Sequence, residues 1–224
     1  MRTWTTERWA AAAGGAFVVL TLVGTFASGT SYPKVDDPPA AILTYFNDHH
    51  RAIAIGAILT GLATPLLIWL FAGLAGVLRA AGENAVAWTL LGVAVAGTAL
   101  AAASDAVAQV IPHVSDAGAA QAAFATQGYL VTKAFWCAAI GAAVVGIAAS
   151  RGALPRWFGW LSLAEAAVFA LGGVTVKGSG FFAAGGTMAL LAFLALLVWV
   201  LAAAAVLWLL PARAELPAAA ATPA

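Results

Sequence analysis

Residues 85–109 read AVAWTLLGVAVAGTALAAASDAVAQ, 25 positions with one charged side chain, Asp105. A hydrocarbon core ~30 Å thick takes about 20 apolar residues as a helix, so this stretch reads as a membrane span. A carboxyl at a helix centre costs roughly 2.5–3.5 kcal/mol on insertion scales, and such groups usually face a bundle interior, a partner charge or a cavity. Two further spans carry the same feature. Lys133 interrupts residues 126–149, and Glu165 interrupts 157–176.

The remaining apolar stretches are 10–27, 52–78 and 185–210. The predicted fold is therefore all-α: a polytopic membrane helix bundle of six transmembrane helices in one domain, residues 1–210. A Pro/Ala-rich tail, 211–224, reads as disordered. Composition agrees. Of 224 residues, 63% are hydrophobic and 8% charged, and the mean hydropathy is +0.97, whereas a soluble globular chain is about 25% charged. A net charge of +1 offers no nucleic-acid footprint. The single cysteine, Cys137, excludes an internal disulfide and a cysteine-cluster metal site.

Basic residues in short loops set orientation. An N-terminus in the cytoplasm puts Arg2, Arg8, Arg79, Arg151, Arg156 and Arg213 inside, and Lys34, Arg51 and Lys177 outside. Tryptophans 4, 9, 88, 157, 160 and 208 then map to the inner interface, and Tyr32, Tyr45 and Tyr129 to the outer one. Both signals place the two termini in the cytoplasm of a bacterial cytoplasmic membrane. A cleaved signal peptide over residues 1–27 is the rival reading of the first helix, with Thr25-Phe26-Ala27 as its small-residue end.

Asp36-Asp37-Pro38-Pro39 is a helix-start signal, and Ile42, Leu43 and Phe46 recur at helical spacing. Residues 39–47 are predicted to form a short interfacial helix in the first outer loop. Asn47 or Asp48 is expected to cap the next helix. Asp48, His49, His50 and Arg51, with His113 from the next outer loop, form an outer-interface cluster. Histidine is a common metal and haem ligand. Adjacent histidines on a helix point about 100° apart, however, and no His-x-x-x-His pair is present, so capping at the interface is the preferred reading and no metal is assigned. Thr64-Pro65 predicts a mild kink in the second span.

The interior charges admit a closer reading. At 1.5 Å per residue, Asp105 and Lys133 fall within about 4 Å of one another along the membrane normal. Consecutive antiparallel helices are usually neighbours, so an Asp105–Lys133 ion pair is predicted, with Glu165 the alternative partner. Gln109 and Tyr129 share the same helix faces and complete a candidate polar pocket. Thr60 and Thr64 lie on one stripe of the second span. Gly92, Ala96, Gly141 and Gly146 are expected at close helix contacts, and the last helix is expected to face lipid along much of its length. Structural glue, a ligand pocket and a catalytic centre all remain open for these charges.

Tyr45-Phe46-Asn47-Asp48-His49-His50-Arg51, Trp69-Leu70-Phe71, Leu78-Arg79 and Leu154-Pro155-Arg156-Trp157-Phe158-Gly159-Trp160 carry a family likeness. Across residues 10–210 the chain resembles a bacterial family of small six-helix integral membrane proteins of unknown function. The Asp-His-His-Arg run departs from the simpler Asp-His-Arg of that family. The resemblance implies the span order and transfers no activity, cofactor or substrate. The sequence thus points to a non-enzymatic membrane protein with an outer-leaflet polar pocket for a small lipophilic ligand, or with a surface for a partner subunit. An embedded enzyme acting on a lipid or isoprenoid and a small transporter are its rivals.

Overall fold

The computed structural model describes residues 5–27, 32–175, 180–183 and 186–209. Expectations resting on Arg2, Trp4, Lys177, Arg213 and the 211–224 tail lie outside these residues. The elements in chain order are α1 (Thr6–Ala27), α2 (Pro39–Asp48), α3 (His50–Ala80), α4 (Asn84–Val110), a 3-10 turn (Ile111–His113), α5 (Ala117–Ser150), α6 (Arg156–Gly173) and α7 (Thr187–Leu209).

Five helices are long and apolar enough to cross a membrane: α1, α3, α4 with its 3-10 turn, α5 and α7. The protein is a multi-pass membrane helix bundle. Where a sixth span was expected, α6 is an 18-residue helix, and Arg156 and Glu165 leave it less apolar than the other five. Pro65 lies inside α3, and that helix continues through it.

The long helices form a closed ring. Each packs against its neighbours in the chain, α1 on α3, then α4, α5, α6 and α7, and α7 returns to pack on α1. Short connections make consecutive members antiparallel. At one end, α3 and α5 stop at turns where Gly82 (φ 87°) and Gly152 (φ 91°) adopt the left-handed backbone that lets a helix reverse. Arg151 bonds Glu83 across these two turns at 3.1 Å, an exposed pair worth about 1 kcal/mol or less. Exposed Trp9, Trp88, Trp157, Trp160 and Trp208 occupy this same end. Arg79 lies over Trp88, and Arg8 over Trp208, at 5.6 and 5.8 Å.

The opposite end carries α2. Its first turn begins with Pro39 and its stripe is the expected one, with Ile42 and Phe46 fully buried. That stripe packs on protein: Phe46 meets Phe124 of α5, and Ile111 joins the same small core. The surface exists because α5 begins about two turns earlier than the sequence suggested. Asp116 caps it, accepting a bond from the Ala119 amide at 2.7 Å. The cap expected from Asn47 or Asp48 is not made. Helix α2 runs through Asp48, and α3 follows after His49 with no side-chain cap.

Helix α7 carries the expected exposed apolar stripe, Leu190, Leu194, Val198 and Leu201, and buries the opposite one. Trp199 is its largest fully buried side chain, and Val200, Ala203 and Leu207 are buried beside it. Of the four small residues expected at close contacts, Gly141 and Gly146 are so placed. A side chain at Gly92 would meet nothing, and Ala96 is exposed.

Gly172 sets the spacing between α6 and α7, since a Cβ there would stand 2.6 Å from that of Ala192. Gly172→Leu should cost about 1–3 kcal/mol through overpacking and lower the melting temperature in detergent. Gly92→Leu, which points into open space, should melt like the wild type. Equal shifts for the two variants would contradict this packing.

Candidate functional site: an axial cavity

A ring of helices leaves space at its axis, and side chains do not fill all of it. A cavity of about 290 Å³ remains, walled by α1, α3, α4, α5 and α7. That is the low end of the ~300–1,000 Å³ typical of small-molecule sites. Its chemistry is graded along the axis. Toward the α2 end it is lined by Thr25, Thr60, Ser104 and Asp105, and toward the tryptophan end by Leu67, Phe71, Leu90 and Trp199. Asp105 and Leu90 are fifteen residues apart on α4, so the graded wall is about 22 Å long.

The polar end is held together by hydrogen bonds between helices. The Thr60 hydroxyl donates to Asp105 Oδ2 at 2.6 Å, joining α3 to α4. Ser104 Oγ donates to the Gln127 carbonyl at 3.2 Å, joining α4 to α5. The other threonines bond back into their own helices: Thr25 to the Thr21 carbonyl, Thr64 to that of Thr60, and Thr98 to that of Ala94. Thr21 differs. It lines the cavity, is 7% exposed, and its hydroxyl is covered and has no hydrogen-bond partner among the described residues. A buried hydroxyl without a partner loses about 1–3 kcal/mol relative to a satisfied one.

Just beyond the polar end, Tyr32 accepts a bond from Gln127 Nε2 at 3.4 Å and packs edge-on against Tyr45 and Phe46. Burial raises the pKa of its hydroxyl above the ordinary value. The Gln127 bond opposes that, while Tyr45 and Asp105 add to it. Tyr32 is therefore a neutral phenol near neutral pH. At the apolar end, Trp199 forms the floor between Phe71 and Phe169, and its indole N–H donates to Ser162 of α6 at 2.9 Å.

The expected ion pair is not formed. Lys133 is exposed on the outer face of α5 and lines no part of the cavity. Among the described residues the salt bridge is Arg151–Glu83. Neither depth nor rotation brings the two together: Ser104 bonds Gln127 and Gly97 meets Cys137, so Lys133 lies about 9 Å further along the bundle than Asp105. Val131, Ala134, Phe135, Cys137, Ala138 and Gly141 are the α5 residues that turn inward, and Lys133 lies on the same exposed face as Tyr129 and Trp136.

Glu165 does not reach the pair either. It is buried on α6 with Ser162 and Phe169, outside the cavity wall, and its Oε2 has no partner. Gln109 is exposed and its amide donates to the Asp105 backbone carbonyl at 3.4 Å.

The outer cluster is dispersed on the surface. His49 Nδ1 is bonded to the Tyr45 carbonyl at 2.9 Å, and its ring stacks on Tyr45 at 4.3 Å. His50 Nδ1 is bonded to the Asn47 carbonyl at 2.8 Å. Asp48, Arg51 and His113 are exposed. No group of three or more His, Cys, Asp or Glu with metal-binding geometry occurs among the described residues. The cavity residues that sequence reasoning missed are Thr21, Thr25, Ser104 and Trp199. Thr21 and Thr25 stand one turn apart on α1, a polar stripe legible in the chain.

No protein-family model, curated protein or solved structure matches the chain. The cavity geometry alone carries the functional argument.

Because Lys133 and Asp105 do not touch, their contributions to stability should be independent. Lys133→Met should shift the unfolding free energy by no more than ~0.5 kcal/mol, and the coupling in a cycle with Asp105→Asn should be near zero. Thr60→Val, which removes a bond to a charged acceptor, should cost about 1.5–3 kcal/mol. Strong Lys133–Asp105 coupling in detergent melts would restore the ion pair.

Proposed function

We propose that this chain is a non-enzymatic binding protein of a bacterial cytoplasmic membrane. Its axial cavity takes a small lipophilic molecule with a polar head, the head beside Thr60 and Asp105 and the body directed toward Trp199. Asp105 is the observation that carries this reading: it is an ionisable side chain in a membrane span that lines a cavity large enough for a guest, with Oδ2 bonded by Thr60 and Oδ1 bonded by no described residue. The described lining combines one carboxyl and one thiol with aromatic, aliphatic and hydroxyl groups. That composition favours binding over an embedded enzyme.

The topology belongs to the proposal as well. Helix α6 is taken as a sixth crossing. Its 18 residues reach about 27 Å, and it lies along α5 from Ala149 to Trp136, where the Trp136 indole donates to the Gly173 carbonyl at 3.0 Å. Six crossings put both termini on one side, and the arginines of the tryptophan end make that side cytoplasmic. The polar mouth of the cavity then belongs to the outer leaflet. Membership of the bacterial six-helix family remains part of this reading.

Cys137 lines the cavity and is the only cysteine in the chain, so it reports occupancy directly. N-Ethylmaleimide should label it in lipid nanodiscs, and saturating dodecanol should slow that labelling several-fold. Unchanged labelling with every lipophilic probe tried would remove the ligand reading. For orientation, Ala153→Cys in a Cys137→Ser background should resist a membrane-impermeant maleimide in intact cells and react after permeabilisation. Labelling from outside intact cells would invert the topology.

A further inference from the structure

The cavity's hydrogen-bonding polarity names the chemistry of its guest. Each of its threonine and serine hydroxyls except Thr21 has already committed its proton. Thr60 donates to Asp105, Ser104 to the Gln127 carbonyl, Thr25 to the Thr21 carbonyl, and Thr64 and Thr98 to carbonyls of their own helices. A hydroxyl has one proton and two lone pairs. The polar end therefore presents oxygen lone pairs, and the described residues offer no free donor to it, the Thr21 hydroxyl being covered.

Asp105 extends the same pattern. One carboxylate oxygen takes the Thr60 bond, and Oδ1 accepts no hydrogen bond from any described residue. Among the described residues no lysine, arginine or histidine lines the cavity. Lys133, the basic residue within a neighbouring span, faces away from it. A carboxylate near hydrocarbon with no cation beside it is costly, and pairing recovers much of that cost.

We propose that the cavity selects a single-chain lipophilic amine, with its ammonium at Asp105 and its hydrocarbon chain running toward Trp199. An ammonium offers three donors and a positive charge, which matches an acceptor-lined mouth whose carboxyl it would hold ionised. A carboxylate or phosphate head would meet lone pairs and like charge. An alcohol brings a single donor and no charge. The aromatic floor made by Phe71 and Trp199 takes the chain terminus, and the graded wall is long enough for a dodecyl chain. This inference rests on the ligand reading above and adds the identity of the head group.

The experiment measures protection of Cys137 from N-ethylmaleimide in the full chain, reconstituted in uncharged phosphatidylcholine nanodiscs at neutral pH. The probes are dodecylamine, dodecanol and dodecanoate, compared at equal membrane concentration. Dodecylamine should protect at a concentration at least about tenfold lower than dodecanol, with dodecanoate the weakest. Asp105→Asn should abolish the preference for the amine, and Asp105→Glu should retain it. Should the asparagine variant fail to fold, the order of the three probes on the wild type decides the matter alone. Equal protection by amine and alcohol, or the same order in Asp105→Asn, would overturn the head-group inference and leave the lipophilic site standing. Protection by none of the three would remove the site itself.

Discussion

Six helices packed as a ring cannot all touch a common axis, and the molecule follows from how that axis is filled. At one end it is filled by bulk: Trp199, Phe71, Leu90 and Phe169 converge there, and the Trp199–Ser162 bond ties α7 to α6. At the other end small and hydroxylated residues face the axis, and they leave a cavity. Closure of α7 on α1 makes the arrangement possible, because it brings Thr21 and Thr25 opposite Asp105. Without that closure Asp105 would face lipid, where a carboxyl is far more expensive.

Polar groups inside the bundle are handled in two ways. Most of the threonines turn their hydroxyls onto the preceding turn of their own helix, which satisfies the proton locally. A few reach across helices, as Thr60 does to Asp105 and Ser104 to the Gln127 carbonyl. The local bonds fix rotamers. The crossing bonds fix which helices are adjacent at the polar end and hold the carboxyl at the cavity mouth. Because hydroxyl protons are spent in both, the space between them is left rich in acceptors. Packing and recognition thus share one cause.

The α2 end shows how an amphipathic segment finds a partner. Ile42 and Phe46 carry the right spacing for an interfacial helix, and spacing alone does not say what covers them. An α5 that starts at Ala117 projects far enough to receive them, through Phe124 and Ala120. Hydropathy places the start of α5 too late, because residues 117–125 are mostly alanine with Gly118 and Gln121, and so only weakly apolar. Helix formation needs propensity and a cap, and both Ala and the Asp116 cap are present.

The sequence by itself determined the class, the order of the helices, and the separation of tryptophan and tyrosine ends. All of these depend on composition and on its periodicity along the chain. Tertiary structure alone decided which way each charge turns. Asp105 faces the cavity, Lys133 the exposed surface of α5, and Glu165 a buried stripe of α6. Consecutive residues on a helix differ by about 100° in direction, so a charge placed on its helix by number is still unplaced in azimuth. That azimuth is set by where the bulky and small residues of five neighbouring helices fit together, and the fit is a property of the whole ring.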